Sequence, residues 1–298
     1  MSLEGAQALE VHDVLPSTND RCREWAAQGA APFSVVMARE QSRGRGRNGK
    51  HWVSGRDAGL WISVLLPAPK QGPAGSTSIL AGVCLALALE ELCGHQVGLK
   101  WPNDLFLPRS ESGGMRGDRR KGMAGAIQGT TLDPLPDAPV VGDWGKVAGV
   151  LCEVPRVQGA ERIVAGFGVN LRPSSDPKWN PPVQATVLKD LTGARVDTMA
   201  VARHLLAQLR RWADPPEHPL TPFIQRAWQE RDILADRLIE LDDGSRGWAR
   251  GVGPDGSLKL EDEDGKVRGV HGGSIRLPPL GVAGPATQEE AGKMKGEV

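Results

Sequence analysis

Six stretches of the chain carry hydrophobic residues in patterns that predict β-strands. The run Leu60–Leu66 is too continuously apolar for a half-exposed strand, so it predicts a strand that is covered on both faces. The stretch Val97–Leu107 contains Pro102, which cannot donate to a β-ladder, and this strand is therefore expected to break at Trp101–Asp104. The other four stretches are 9–15, 34–38, 146–153 and 162–171, and the last two are predicted to pair as a hairpin.

Apolar residues at helical spacing predict four helices. Ser17 and Thr18 supply hydroxyl groups that can cap a helix, and the apolar stripe that follows them stops at Gly29. Three further helices are predicted at 76–94, which is apolar nearly all round and ends at a glycine, at 197–212, and from the cap Thr221 through Trp228.

The pattern changes at Arg237, where short β-type runs begin to alternate with Asp-Gly turns at hairpin spacing. This predicts a small β-barrel of about fifty residues, a size at which such domains fold. The predicted fold class is therefore α+β, with a mixed β-sheet and helices packed on one face, followed by the barrel. The predicted boundaries are 1–232 for the main domain, 109–143 for a surface insertion within it, 233–278 for the barrel and 279–298 for a disordered tail.

The segment Ala38–Ser54 joins two of the predicted strands and is rich in glycine and basic residues. Glycine lets backbone N–H groups approach a ligand closely, and arginine offers a planar fork that suits phosphate or carboxylate oxygens, so the segment predicts an anion-binding loop. The run Gly44–Lys50 is nearly a P-loop, but His51 replaces the hydroxyl residue that would hold Mg²⁺. A solvated loop and a nucleic-acid contact of the Arg-Gly type remain alternatives.

Composition narrows these alternatives. The 36 acidic and 36 basic side chains give a net charge of zero, so no overall field attracts nucleic acid, and no DNA partner is expected. The four cysteines lack zinc-site spacing and are interpreted as small buried hydrophobic residues. No apolar run is long enough to span a bilayer, and no secretory leader follows Met1, so a cytoplasmic protein without a membrane partner is expected.

In their order and spacing, five motifs resemble the biotin–protein ligase family over roughly Leu9 to Leu277. The motifs are Ser17-Thr18-Asn19, the basic loop through Trp52, Lys100–Leu105, Lys146–Glu153 and Gly166–Asn170. The resemblance implies a biotin/lipoate ligase-like catalytic domain with an SH3-like C-terminal barrel. It also implies that the protein adenylates biotin with ATP and transfers biotin to a lysine of a carrier domain.

Carried over to this sequence, the resemblance implies that Lys146, Arg47 and Asp104 are catalytic. Lys146 would lie between the biotin carboxylate and the α-phosphate of ATP, and Asp104 is hypothesised to orient or deprotonate the acceptor lysine. The implied biotin-binding residues are Ser17, Thr18, Asn19, Gln41, Gly44, Arg45, Gly46, Arg47, Trp52, Lys146, Gly149 and Gly166. The implied ATP and phosphate contacts are Arg45, Arg47, Lys50, Lys146 and Asn170, and no protein ligand for a metal is assigned.

The family also implies ATP and Mg²⁺ as co-substrate and ion, biotin as substrate, and the biotin carboxyl carrier domain of an acyl-CoA or pyruvate carboxylase as partner. Few residues precede the first strand, which predicts a monofunctional ligase without a DNA-binding domain. A monomer or weak homodimer is expected. Lys121 opens a second copy of the lysine motif, but only after Lys146 does the chain continue as an apolar strand. Lipoate or octanoate transfer on the same fold, and a ligand-binding protein that has lost catalysis, remain alternatives.

Overall fold

The computed structural model describes residues 2–108, 144–155, 162–173, 196–213 and 218–276. The predicted insertion at 109–143, with its second lysine motif, and the predicted tail at 279–298 lie outside these residues. The described residues form a seven-stranded sheet, a five-stranded sheet and four α-helices.

The seven-stranded sheet is built from β1 (Ala8–Leu15), β2 (Ser34–Gln41), β3 (Gly59–Pro67), β4 (Gly98–Lys100), β5 (Asp104–Pro108), β6 (Trp144–Glu153) and β7 (Arg162–Asn170). Its strand order is β1-β2-β3-β7-β6-β5-β4. Strands β1 and β2 are parallel and the other neighbours are antiparallel, which confirms the predicted mixed sheet. As predicted, the central strand β3 is buried along its length except at Pro67.

The stretch that was expected to break folds back on itself as the β4–β5 hairpin. Lys100 stands opposite Asp104 in the hairpin register, and the peptide bond between Trp101 and Pro102 is cis. The hairpin therefore presents a lysine and an aspartate side by side at one end of the sheet.

The four helices are α1 (Thr18–Ala27), α2 (Thr77–Cys93), α3 (Thr198–Ala213) and α4 (Pro222–Gln229). The fold class is confirmed. The prediction that the helices all pack on one face of the sheet differs from the structure, because they lie on both faces. Val36, Leu65 and Val164 pack against α1, whereas the residues next to them in their strands belong to the core beneath α2 and α3. Because successive side chains of a strand point to opposite faces, α1 covers the face opposite α2 and α3.

The predicted helix ends are found with one exception. Gly94 ends α2 in a left-handed conformation, with φ of 67°, and the Thr221 hydroxyl accepts a hydrogen bond of 3.3 Å from the Ile224 backbone N–H at the start of α4. Ser17 occupies the position before α1, but its side chain makes no capping hydrogen bond. It lines a pocket instead.

The five-stranded antiparallel sheet consists of β8 (Leu238–Leu241), β9 (Arg246–Val252), β10 (Leu258–Glu261), β11 (Val267–Val270) and β12 (Ile275–Arg276). Its order is β11-β10-β9-β8-β12. Buried residues of this sheet, such as Leu258, belong to the same hydrophobic cluster as α2, and the Trp101 indole N–H donates 2.9 Å to the Gly256 carbonyl. The apolar core is therefore continuous across the predicted domain boundary, which itself stays a prediction. None of the helices in the described parts of the chain is long and apolar enough to cross a membrane.

Candidate functional site

A pocket of about 400 Å³ opens where the basic loop, the first turn of α1 and strands β5, β6 and β7 meet. It is also lined by Gly273, Ser274 and Ile275, at the start of β12, so the C-terminal sheet closes one side. The predicted site residues that line the pocket are Ser17, Thr18, Asn19, Gln41, Arg45, Gly46, Arg47, Lys50, Trp52, Asp104, Lys146, Gly149, Gly166 and Asn170. Gly44 is the one predicted site residue that does not line the pocket.

The basic loop folds as an irregular hairpin between β2 and β3. The Gly46 N–H donates 2.8 Å to the Lys50 carbonyl, and the Trp52 N–H donates 2.9 Å to the Gly44 carbonyl. Gly44 is buried inside this hairpin, where a Cβ would lie 2.3 Å from the Trp52 carbonyl oxygen. The structure therefore explains the glycine at position 44 by the packing of the loop on itself.

The lining of the pocket is strongly cationic. Among the described lining residues, five are cationic and Asp104 supplies the only carboxylate; the five are Arg45, Arg47, Lys50, Lys100 and Lys146. Lys146 and Asp104 form an ion pair, with Nζ 2.6 Å from Oδ1. The remaining positive charge makes the pocket suited to an anionic ligand with several charges.

Burial acts on two of these cations. It lowers the pKa of the Arg47 guanidinium, which the negative charge of Asp104 partly opposes, and arginine still stays protonated because its reference pKa is so high. Burial likewise lowers the pKa of the Lys100 ammonium. Lys100 Nζ donates 3.2 Å to the Ile275 carbonyl, so this cation ties the β4–β5 hairpin to the C-terminal sheet.

Trp52 lies in a slot that two glycines create. A Cβ at Gly168 would be 2.6 Å from the Trp52 indole nitrogen, and one at Gly149 would be 3.1 Å from the indole ring. Lys146 Nζ lies over the Trp52 ring, 5.0 Å from its centroid. The glycines therefore let strands β6 and β7 approach Trp52, which in turn walls the pocket.

The floor of the pocket is neutral and polar. The Gln41 side-chain oxygen accepts a 2.8 Å hydrogen bond from the Thr18 backbone N–H, and the Gln41 amide donates 2.7 Å to the Ser54 hydroxyl. A Cβ at Gly166 would lie 2.0 Å from Asn19 Oδ1, so only glycine lets β7 pass beneath Asn19. Hydrogen bonds therefore join Thr18, Gln41 and Ser54 in this part of the lining.

Arg45 does not extend freely towards the middle of the pocket. Its Nη2 lies 2.5 Å from Glu153 Oε2 and 3.1 Å from Asp20 Oδ1. This double ion pair fastens the basic loop to β6 and α1. The predicted phosphate contact of the Arg45 guanidinium therefore competes with two carboxylates, and its role towards a ligand stays a prediction.

Sequence reasoning missed several residues of this site. Ser63 and Glu153 contact predicted site residues, and the further lining residues are Asn48, His51, Val53, Lys100, Trp101, Pro102, Val150, Leu151, Phe167, Gly168, Gly273, Ser274 and Ile275. Asn103, which the family resemblance implies for the polar lining of the pocket, also lines it. Residues 273–275 were not assigned to the site because their sequence shows only a turn and a short strand of the C-terminal sheet.

Among the described residues, no cluster of three or more His, Cys, Asp or Glu side chains could hold a metal ion.

Comparison with known proteins adds to this geometry. The model of the Biotin/lipoate A/B protein ligase family matches residues 11–170. The bifunctional ligase/repressor BirA of Salmonella typhimurium is 30% identical over 282 residues, which cover 90% of this chain and 74% of that protein. The biotin–[acetyl-CoA-carboxylase] ligase of Paracoccus denitrificans is 29% identical over 254 residues, covering 80% and 89% of the two chains. A biotin protein ligase structure from Aquifex aeolicus, in complex with biotin and ATP, aligns with a TM-score of 0.66 at 22% identity over 91% of this chain and 100% of that one.

Proposed function

Because the chain belongs to the biotin/lipoate A/B protein ligase family, we propose that it is an ATP-dependent biotin–protein ligase. It activates biotin to biotinyl-5′-AMP with release of pyrophosphate, and then transfers biotin to the ε-amine of a lysine on a biotin carboxyl carrier domain. The relative from Salmonella typhimurium, a bifunctional ligase/repressor, supports a ligase, and the biotin–[acetyl-CoA-carboxylase] ligase of Paracoccus denitrificans supports biotin as the substrate.

The observation that carries the proposal is that one pocket combines two kinds of lining group. Thr18 and Gln41 offer neutral hydrogen-bonding groups, and Arg47 and Lys146 offer positive charge. Biotin has a neutral ureido ring at one end and a carboxylate at the other, so it matches both. The additional cations suit the phosphates of ATP.

The first half-reaction needs no protein nucleophile. A carboxylate oxygen of biotin forms a bond to the α-phosphorus of ATP, while the bond from that phosphorus to the oxygen bridging the α- and β-phosphates breaks and pyrophosphate leaves. Lys146 is assigned to neutralise the carboxylate and the α-phosphate as they approach, and Arg47 to bind the phosphate. Fixed cations that meet the developing charge lower the barrier without reorganisation of solvent.

In the second half-reaction, the amine of the acceptor lysine attacks the acyl carbon of biotinyl-5′-AMP. The new C–N bond replaces the mixed anhydride bond, AMP leaves with the bonding electron pair, and the amine loses a proton. Asp104 is assigned to orient the amine or accept that proton, because it is the carboxylate among the described lining residues. The folded basic loop would protect the anhydride from water until the amine arrives.

Mg²⁺ would enter with ATP as part of the co-substrate. The described residues offer no cage of carboxylates, and Asp104 is already paired with Lys146. A Mg²⁺ ion held mainly by phosphate oxygens and water needs no such cage. No step of the proposed mechanism is therefore assigned to a protein-bound metal.

The proposed partner is the biotin carboxyl carrier domain of an acyl-CoA or pyruvate carboxylase. The Paracoccus relative, a biotin–[acetyl-CoA-carboxylase] ligase, supports the carboxylase class. We further propose a cytoplasmic enzyme, monomeric or weakly dimeric. Its proposed units are a catalytic domain at 1–232 and an SH3-like domain at 233–278, which contributes residues such as Ile275 to the pocket.

The test is biotin-dependent exchange of labelled pyrophosphate into ATP, with the parent, Lys146→Ala and Arg47→Ala compared. Lys259→Ala, which changes an exposed lysine of β10, is the matched control. We expect exchange in the parent and the control, and a loss of at least 100-fold in both pocket variants. Exchange that depends on lipoate or octanoate and not on biotin would assign the other chemistry of the family, and no exchange with any of the three acids would remove the proposed activity.

A further inference from the structure

Ser63 is a polar residue at the centre of the apolar strand β3. It is fully buried, and its neighbours along the strand, Ile62 and Val64, are buried hydrophobic residues of the main core. A buried hydroxyl destabilises a fold unless it is hydrogen-bonded. The Ser63 oxygen lies 2.6 Å from Asn19 Oδ1 and 2.8 Å from Thr18 Oγ1, so its partners are two residues that line the pocket.

The proton in each of these contacts can be assigned. The Asn19 side-chain nitrogen donates 3.2 Å to the Leu151 carbonyl and 2.8 Å to Glu153 Oε2. Both partners can only accept, so the nitrogen must face them and Asn19 Oδ1 must face Ser63. Since an amide oxygen cannot donate, the single hydroxyl proton of Ser63 goes to Asn19.

This assignment fixes the hydroxyl of Thr18. With the Ser63 proton committed to Asn19, the 2.8 Å contact between Ser63 and Thr18 is favourable only if Thr18 donates. The other neighbour of the Thr18 hydroxyl is Gln41 Oε1 at 3.1 Å, which already accepts a 2.8 Å hydrogen bond from the Thr18 backbone N–H. The Ser63 oxygen, at 2.8 Å, is the nearer acceptor and takes the Thr18 proton.

We propose that Ser63 is a specificity-determining positioning residue, which makes the Thr18 hydroxyl an acceptor only and thereby selects a ligand that presents an N–H group. Hydrogen bonds run from Thr18 through Ser63 and Asn19 to Glu153. The Glu153 carboxylate can only accept, so it sets the direction in which each of these bonds is donated. This inference rests on the proposed function and deepens it. The ureido group of biotin offers N–H donors, whereas a lipoyl or octanoyl chain offers none at its distal end.

The test compares ligands that differ in one donor. Biotin is compared with its two cyclic carbamate analogues, each of which carries a ring oxygen in place of one ureido N–H. In the parent, we expect the KM of at least one carbamate in pyrophosphate exchange to exceed that of biotin by about 100-fold. In Ser63→Ala the Thr18 proton loses its nearer acceptor, and the carbamate oxygen then competes for it only with Gln41 Oε1 at 3.1 Å. The ratio of the KM for the carbamate to the KM for biotin should therefore narrow about tenfold. The KM for biotin should rise by about tenfold while the KM for ATP stays unchanged.

Ser76→Ala is the matched control, because Ser76 is also fully buried but donates its hydroxyl to the Pro73 carbonyl away from the pocket. It should retain the parent ratio. Ser63→Cys, which keeps a weak donor of similar size, should give an intermediate ratio, and it carries the test if Ser63→Ala does not fold.

Two results would overturn the inference while the proposed function stands. One is an unchanged ratio in Ser63→Ala alongside active parent enzyme. The other is an equal rise in KM for biotin and ATP with a lowered Tm, which a purely structural role would produce. A parent without any biotin-dependent exchange would instead overturn the proposed function, and the inference with it.

Discussion

Lys146 and Asp104 form an ion pair across the neighbouring strands β6 and β5, with Nζ 2.6 Å from Oδ1. The pair holds the carboxylate at the wall of the pocket and leaves the ammonium facing both Asp104 and the ring of Trp52. An arriving phosphate or carboxylate would compete with Asp104 for Lys146. In the proposed mechanism, ligand binding would then free the carboxylate for the acceptor amine, and this would link the two half-reactions.

Asp104→Ala should separate those half-reactions. Transfer from preformed biotinyl-5′-AMP to a carrier-domain lysine should slow by at least about 100-fold, because a general base typically contributes that much or more. Single-turnover transfer measured by mass spectrometry gives the rate, and Asp264→Ala, which changes an exposed carboxylate of the C-terminal sheet, is the control. An unchanged transfer rate in Asp104→Ala would remove this role.

Gly168→Ala should displace Trp52 from the pocket wall. A Cβ at position 168 would lie 2.6 Å from the indole nitrogen, and overpacking of this kind costs about 1–3 kcal/mol. The KM for biotin should rise about tenfold or more, and adding Trp52→Leu should recover stability but not affinity. Gly75→Ala is the control, since a Cβ there meets nothing within 4 Å. Equal KM values in the two glycine variants would show that Trp52 does not shape the ligand site.

Glu153→Gln should loosen the basic loop. The Arg45–Glu153 pair is partly exposed, at 33% and 23% of the two side chains, so its loss should cost up to about 1 kcal/mol and speed loop opening about threefold to fivefold. Limited digestion with trypsin, followed by mass spectrometry of cuts after residues 43, 45, 47 and 50, measures the opening. Glu261→Gln breaks a pair of similar exposure with Arg250 in the C-terminal sheet and should leave these cuts unchanged. Identical digestion of the two variants would argue against a role of the Arg45–Glu153 ion pair in holding the basic loop.

Asp232→Asn should raise stability at alkaline pH. Burial raises the pKa of the Asp232 carboxyl from 3.8 to about 6, although its Oδ1 accepts a hydrogen bond from the Leu234 N–H. A raised pKa means that the folded state binds the proton more tightly, so the contribution to stability is complete below pH 3.8 and is lost as pH rises through 6.

At pH 8 the ionised carboxylate should therefore destabilise the parent by up to about 3 kcal/mol, and the neutral amide should remove that penalty. Urea unfolding at pH 5 and pH 8 measures the free energy of unfolding of the parent and of Asp232→Asn. Asp264→Asn, which changes an exposed aspartate, is the control. A variant that is no more stable than the parent at pH 8 would contradict the prediction.

Local patterns were sufficient for most of the elements. The continuous apolar run of β3, the proline that breaks Val97–Leu107 and the glycine after α2 each act on neighbouring residues, so their effects can be recognised along the chain. The motifs around Thr18, Arg47 and Lys146 likewise predicted which segments would meet, and all three residues line one pocket. The side of the sheet that α1 covers was not predictable in this way, because both faces of β3 are apolar.

The sequence by itself therefore determined the order of strands and helices, the family resemblance and most of the candidate site. The tertiary structure alone decided the contacts between distant residues: Asn19 with Glu153, Ser63 with Thr18, and Trp101 with the carbonyl of Gly256. A serine in a buried strand or a carbonyl in a turn has no distinctive local pattern. Its chemistry appears only when packing removes water and leaves one partner within hydrogen-bonding distance.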